Sequence, residues 1–294
     1  MKPFIKWAGG KTQLLPEIRK KYPKELGITI NKYCEPFLGG GAVLFDIISQ
    51  YKLEEILIND INKELINTYS QIKHNLEYLL DELYNMQNLF WGMDTEARKL
   101  YYYNKRDRFN LLKLSGDEKI NIEKASLFIF LNKTCFNGLF RVNKKGLFNV
   151  PMGAYKTPLI CDKENLAAVS RILKNIIIIT GDYNCTFDFI DKNTFVYIDP
   201  PYRPISKTSS FTSYTETNFN DDQQILLGRF VDRAINRGAR VVISNSDPKN
   251  NDENDHFFDD LYKNYDISRV SARRMINCNV KSRGDIKELL ISNY

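Results

Sequence analysis

Short apolar or β-branched runs, alternating with helical patterns, limit what this chain can fold into more than any other feature. Lys32–Glu35, Ile56–Asn59, Ile176–Thr180, Phe195–Ile198 and Arg240–Ser244 read as buried strands. Two later runs, Asp266–Val270 and Lys287–Ile291, read as a terminal antiparallel hairpin joined through "VKSRG". Helical patterns cover Gln13–Lys21, Ala42–Gln50, Lys63–Tyr84, Asn165–Leu173 and Asp221–Arg237. Strands alternating with helices require a mostly parallel sheet with helices on both faces, a Rossmann-like α/β arrangement.

One long stretch interrupts the alternation. Residues 62–163 are mainly helical and aromatic, as in "KLYYYNKRDRF" at 99–109. They contain no evident parallel strand, so they are expected as an insertion into a domain formed by 1–61 and 164–294. The insertion is also where the charge lies. Residues 98–150 hold 12 Lys/Arg against 4 acids, whereas the whole chain sums to only +6. A basic segment on a near-neutral body fits a polyanion partner, and a solvated helix face is the plainer alternative.

Some chemistry is disfavoured at the outset. The five cysteines are far apart without a C-x-x-C pair, and His74 and His256 stand alone. A zinc site, a disulfide framework or a histidine-based mechanism is therefore not expected. No apolar run approaches 18 residues and no signal-like segment opens the chain, so a cytoplasmic protein is expected.

"IKWAGGKT", residues 5–12, ends like a phosphate loop. A G-x-x-x-x-G-K-[ST] loop needs a glycine where Ile5 stands and a strand ahead of it, for which four residues are too few. A Gly-Gly turn before a helix remains, as does a tight loop presenting Trp7 and Lys11 to an anionic ligand.

"YCEPFLGGGAVLFDII", residues 33–48, reads as strand, glycine turn, helix. Asp60 ends the next strand 19 residues after Gly41, a spacing at which an acid commonly accepts ribose hydroxyls. "FVYIDPPY", residues 195–202, runs a buried strand straight into Asp199, Pro200, Pro201 and Tyr202. Two prolines fix the backbone and remove two N–H groups. That leaves rigid acceptors beside an aromatic plate, a set suited to the exocyclic amine of a planar base. "ISNSDP", 243–248, ends another strand at the same edge and reads equally as a pocket wall or an ordinary strand end.

Taken together, "KWAGGK", "EPFLGGG", "NDINKELINTY", "LNKTCFNGLFRVNKKGLFNVPMG", "DPPY", "FTSY" and the terminal "RRMINCNVKSRGDIKELLISNY" resemble the Dam-type DNA adenine-N6 methyltransferases. Motif order matches over almost the whole chain, closest to the GATC-modifying methylases of restriction–modification systems. The resemblance implies S-adenosylmethionine as cofactor, with no metal. Trp7, Lys11, Glu35, Phe37, Gly39, Asp60 and Asp199 would surround the cofactor, and Gly181–Tyr183 would flank its adenine. Asp199, Pro200 and Tyr202 would act on a flipped adenine, with Phe211 and Tyr214 closing the pocket.

Within the insertion, "RVNKKGLFNV", 141–150, carries a hairpin pattern. By resemblance Arg141 reads a guanine, and Asn137 and Pro151 match the recognition segment. Phe136 replaces a tyrosine, and Lys133 an arginine, of some relatives. Implied partners are duplex DNA and a cognate restriction endonuclease without a stable complex, the methylase being a monomer away from membranes. Two rivals stay open: an RNA or protein-amide methyltransferase on the same fold, and a DNA-binding regulator without catalysis.

Overall fold

The computed structural model describes residues 1–115, 121–203, 219–273 and 285–294. "VKSRG", Cys278, Phe211 and Tyr214 lie outside the described residues. Seven strands form one sheet: β1 (Lys32–Glu35), β2 (Glu55–Asp60), β3 (Ile177–Thr180), β4 (Thr194–Ile198), β5 (Arg240–Ser246), β6 (Asp266–Arg273) and β7 (Asp285–Ser292). Their order is β3-β2-β1-β4-β5-β7-β6. The first five pair in parallel, and β7 runs antiparallel to both β5 and β6. The strand order reverses between β1 and β4, so the crevice at their carboxyl ends is a topological switch point.

The central strands are apolar on both sides, as a buried parallel sheet demands. Tyr33, Ile58, Phe195, Tyr197 and Val242 join one hydrophobic cluster. Their neighbours Cys34, Leu57, Val196, Ile198, Val241 and Ile243 join the other. Helices α2 (Ala42–Gln50), α3 (Lys63–His74) and α7 (Lys163–Leu173) contribute to the first. Helices α8 (Asp221–Asn236) and α9 (Phe257–Leu261) contribute to the second. Asn62, Asp162 and Asn220 cap α3, α7 and α8 by accepting from backbone N–H groups of the first turn. The sheet, its two covered faces and its antiparallel hairpin agree with the sequence reading.

Two helices differ from expectation. The Gln13–Lys21 pattern yields a 3-10 turn at Lys11–Gln13 and then α1 (Leu15–Arg19). Pro16 is tolerated only in a first turn, so it sets where that helix begins. The Lys63–Tyr84 pattern breaks at Asn75 into α3 and α4 (Leu76–Gly92). Asn75 leaves helical geometry at φ −133°, and its side-chain amide donates to Gln71 Oε1 at 2.8 Å. Asparagine offers such local alternatives to the helical ladder.

Helix α5 (Thr95–Leu114) and the almost wholly buried α6 (Ile122–Thr134) complete this region, with α6 packed against α3, α4 and α5. Residues 141–149 form a short antiparallel turn, with Val142 bridged to Phe148 and the Asn149 N–H donating to the Arg141 carbonyl at 3.1 Å. No helix among the described residues is long and apolar enough to cross a membrane.

Candidate active site

Asp199 follows β4 directly, at the crevice where the strand order reverses. Its Oδ1 receives the Lys11 ammonium at 2.9 Å and the Ser244 hydroxyl at 3.0 Å. Tyr197 donates in turn to Ser244 Oγ at 3.0 Å, so β4 and β5 hold the carboxylate from below. The Pro201 carbonyl accepts from the Gln224 amide at 3.1 Å, which tethers the proline turn to α8. Tyr202 O–H donates to Glu288 Oε2 at 2.7 Å and accepts from Lys11 at 2.5 Å.

The chain around Lys11 explains how a surface-type residue becomes 5% exposed. Gly9 adopts φ +74° and the Gly10 N–H closes a turn onto the Trp7 carbonyl at 3.1 Å. This turn sends Lys11 inward to Asp199 rather than outward to a phosphate. Trp7 lies against the second glycine turn. A Cβ on Gly39 would meet Trp7 Cδ1 at 2.8 Å, and Gly39 already sits at φ +51°. The indole also stacks on Phe140 at 5.6 Å.

Asp60, ending β2, fixes the same turn. Its Oδ2 accepts the Gly39 N–H at 2.9 Å and its Oδ1 the Asn62 N–H at 2.9 Å. Buried Asn59 donates to the carbonyls of Pro36 and Gly181, at 2.9 and 3.0 Å. Phe37 stacks on Tyr183 at 5.4 Å, so the "GDY" segment does come to this edge. Glu35, at the end of β1, accepts the Tyr33 hydroxyl at 2.8 Å and is buried.

The site is rich in acid. Burial pushes the Glu35 carboxyl well above the usual range, and the nearby charges of Asp199 and Asp60 push it further. Burial also raises Asp199, against the opposing effect of Lys11, and raises Asp60, against three backbone N–H groups. Three buried acids whose charged forms burial disfavours fit an organic cation among them, because a positive charge there would stabilise each ionised form.

Of the residues expected to contact DNA, Lys133 lies in the last turn of α6 and the others on the segment after it. Phe136 is 53% exposed and Asn137 takes the left-handed φ of 56°. The Phe136 N–H donates to the Pro151 carbonyl at 2.8 Å, joining the two ends of the segment. The Arg141 side chain is exposed, and Asn149 holds it through Nε to Oδ1 at 2.8 Å. Lys133 is half-buried, and burial lowers its affinity for a proton, with Asp162 opposing the shift and Lys2 and Lys6 adding to it. Buried Asn132 donates to the carbonyls of Lys6 and Gly138 at 2.8 and 3.0 Å, tying this segment to the Trp7–Lys11 turn. Cys135 is buried, with its thiol pushed up to about 12 by that burial, so it serves packing.

Sequence reasoning missed Tyr197, Gln224 and Glu288 and left Ser244 undecided. Their signal was a polar group inside an otherwise apolar strand or helix face, as in "VVISNS" and "KELLIS".

A family model described as D12 class N6 adenine-specific DNA methyltransferase matches residues 7–276. The Type II methyltransferase M.MjaIII of Methanocaldococcus jannaschii is 49% identical over 296 residues, covering 100% of this chain and 99% of that protein. The Type II methyltransferase M1.LlaDCHI of Lactococcus lactis subsp. cremoris is 38% identical, covering 100% and 96%. The DNA adenine methylase of Haemophilus influenzae is 34% identical, covering 98% and 92%.

Proposed function

The chain belongs to the D12 class of N6 adenine-specific DNA methyltransferases, and from that premise we propose that it methylates adenine at GATC in duplex DNA, with S-adenosylmethionine as donor. The observation that carries this reading is Asp199. It is held by Lys11 and Ser244 at the switch point of the sheet, beside the Pro-Pro-Tyr turn, while Asp60 at the end of β2 holds the glycine turn after β1. Membership of a DNA-specific family argues against the RNA and protein rivals. The intact acidic site argues against a non-catalytic regulator.

The acid-rich edge fits the proposed cofactor, whose sulfonium and ammonium groups are cations. When bound, it supplies an electrophilic methyl group. Asp60 would accept its ribose hydroxyls, as the acid after a second strand commonly does. Trp7, Lys11 and the loop from Glu35 to Gly41, with Phe37, would wall its methionine and adenosine parts.

The protein's own task is to prepare the nucleophile. Adenine N6 is a weak one because its lone pair is delocalised into the ring. The Asp199 carboxylate and the Pro200 carbonyl accept its two N–H groups, favouring a pyramidal nitrogen with an available lone pair. Asp199 is also placed to take the proton that leaves when the N–C bond forms. In-line displacement then depends mainly on positioning. The target must leave the duplex stack to reach this site, and Tyr202 offers a face for it.

Residues 62–163 are the target-recognising part in this account. Arg141 pairs bidentately with a guanine of GATC, and Phe136, Asn137, Lys133 and Pro151 contact the site around it. The likeness to Type II methyltransferases supports a place in a restriction–modification system, the monomeric methylase acting in the cytoplasm apart from its endonuclease. The test is Asp199→Ala. It should keep the fold and lose methyl transfer, and a folded Asp199→Ala protein with wild-type activity overturns the reading.

A further inference from the structure

We propose that Glu288, on the terminal hairpin, is a positioning residue for methyl transfer that acts on Asp199 through Tyr202 and Lys11. The proposal rests on the catalytic reading above and adds a residue to it.

Glu288 lies opposite Ser246 of β5 and Val270 of β6 in the ladder. The residues after it, Leu289, Leu290 and Ile291, are buried. Glu288 is a carboxylate that this strand carries to the site, and its side chain is 14% exposed. Its Oε2 accepts the Tyr202 hydroxyl at 2.7 Å and lies 3.9 Å from Lys11 Nζ.

The direction of the hydrogen bonds gives Glu288 its role. An ammonium has three protons and no acceptor. Those of Lys11 go to Asp199 Oδ1 at 2.9 Å, the Gly9 carbonyl at 2.9 Å and the Tyr202 oxygen at 2.5 Å. The Tyr202 oxygen therefore accepts from Lys11, and its single proton must go elsewhere. Glu288 takes it. The chain runs one way, from Lys11 through Tyr202 to Glu288, and Asp199 and Glu288 share the charge of Lys11. Among the described residues the contacts to Asp199 fall on Oδ1, which leaves Oδ2 for the adenine amine.

Without the Glu288 charge, the Tyr202 proton is free to turn toward other acceptors and Lys11 is balanced by Asp199 alone. Asp199 then becomes a poorer acceptor for the amine, and the Tyr202 ring loses its anchor. Glu288 is not among the residues assigned above to cofactor or duplex, so the effect is assigned to the methyl-transfer step.

The experiment compares Glu288→Gln, Glu288→Asp, Tyr202→Phe and the double variant Glu288→Gln/Tyr202→Phe in the full chain. Single-turnover methyl transfer to a GATC duplex is measured at saturating donor, beside the Kd of donor and of duplex. Loss of a hydrogen bond to a charged group predicts a rate about 10-fold or more lower for Glu288→Gln. Both Kd values should stay within about 2-fold of wild type, and Glu288→Asp should recover part of the rate. In the double variant the Glu288 change should add little to Tyr202→Phe, because the two act in one chain. A wild-type rate in Glu288→Gln, a loss confined to Kd, or full additivity overturns the proposal. If Glu288→Gln does not fold, Glu288→Asp decides, because it keeps the charge while drawing the carboxylate back by one methylene; a wild-type rate there overturns the proposal. A wild-type protein that transfers no methyl to GATC would instead refute the underlying reading.

Discussion

Replacing Gly39 by alanine tests how the amino-terminal turn and the glycine turn after β1 are joined. Two costs act at this position. Alanine at φ +51° occupies the left-handed region, at about 1–2 kcal/mol. Its Cβ would also lie 2.8 Å from Trp7 Cδ1, a contact that forces the indole or the loop to move. Overpacking of this kind costs about 1–3 kcal/mol. The sum, about 2–5 kcal/mol, leaves most domains folded. Gly9→Ala is the control, because Gly9 sits at φ +74° with nothing within 4 Å of a new Cβ. It should lose only the backbone part, about 1–2 kcal/mol. Urea unfolding gives both losses, and titration with S-adenosylmethionine gives the functional consequence. The Gly39 N–H is bonded to Asp60, and Trp7 stacks on Phe140 beside Arg141, so donor affinity and DNA discrimination should both weaken. Equal destabilisation by Gly39→Ala and Gly9→Ala, with donor affinity unchanged, would refute the packing of Trp7 on this turn.

In the proposed mechanism Asp199 must be ionised to accept the amine. Its proton affinity is raised by burial and lowered by Lys11, so the acid limb of the single-turnover pH profile should lie above the ordinary aspartate range. Activity should appear as pH rises through that limb, and Lys11→Met should move it to higher pH; an unmoved limb contradicts the pairing. Arg141→Ala should relax discrimination at one guanine by about 1–3 kcal/mol while leaving other positions strict. Competition between GATC duplexes and single-substituted duplexes measures this. Asp46, buried on α2, accepts from Arg19, Tyr22 and Gln50. Asp46→Ala orphans the buried Tyr22 hydroxyl and should lower stability by about 1–3 kcal/mol in urea, without changing donor affinity.

The sheet was legible because buried parallel strands are short unbroken apolar runs, and "FVYI" and "RVVIS" have no other economical use. Their ends were within a residue or two, whereas the helix over 63–84 was not, because hydrophobic periodicity continues across Asn75. The proposed ligand edge was legible for a topological reason, since Glu35 and Asp60 end parallel strands and Asp199 directly follows one. Lys11 was singled out, but its partner was not. Only the fold brings a residue at position 11 within 2.9 Å of one at 199. Glu288 and Tyr197 were hidden for the same reason, as polar residues in runs whose periodicity reports packing alone.

The most direct test offers labelled S-adenosylmethionine to the purified protein with three substrates. These are an unmethylated duplex containing GATC, the same duplex with that site scrambled, and an RNA of matching sequence. The account predicts label on adenine N6 of the GATC duplex, abolished in Asp199→Ala. Label on the scrambled duplex at an equal rate would contradict the assigned site, and label only on RNA would contradict the account itself.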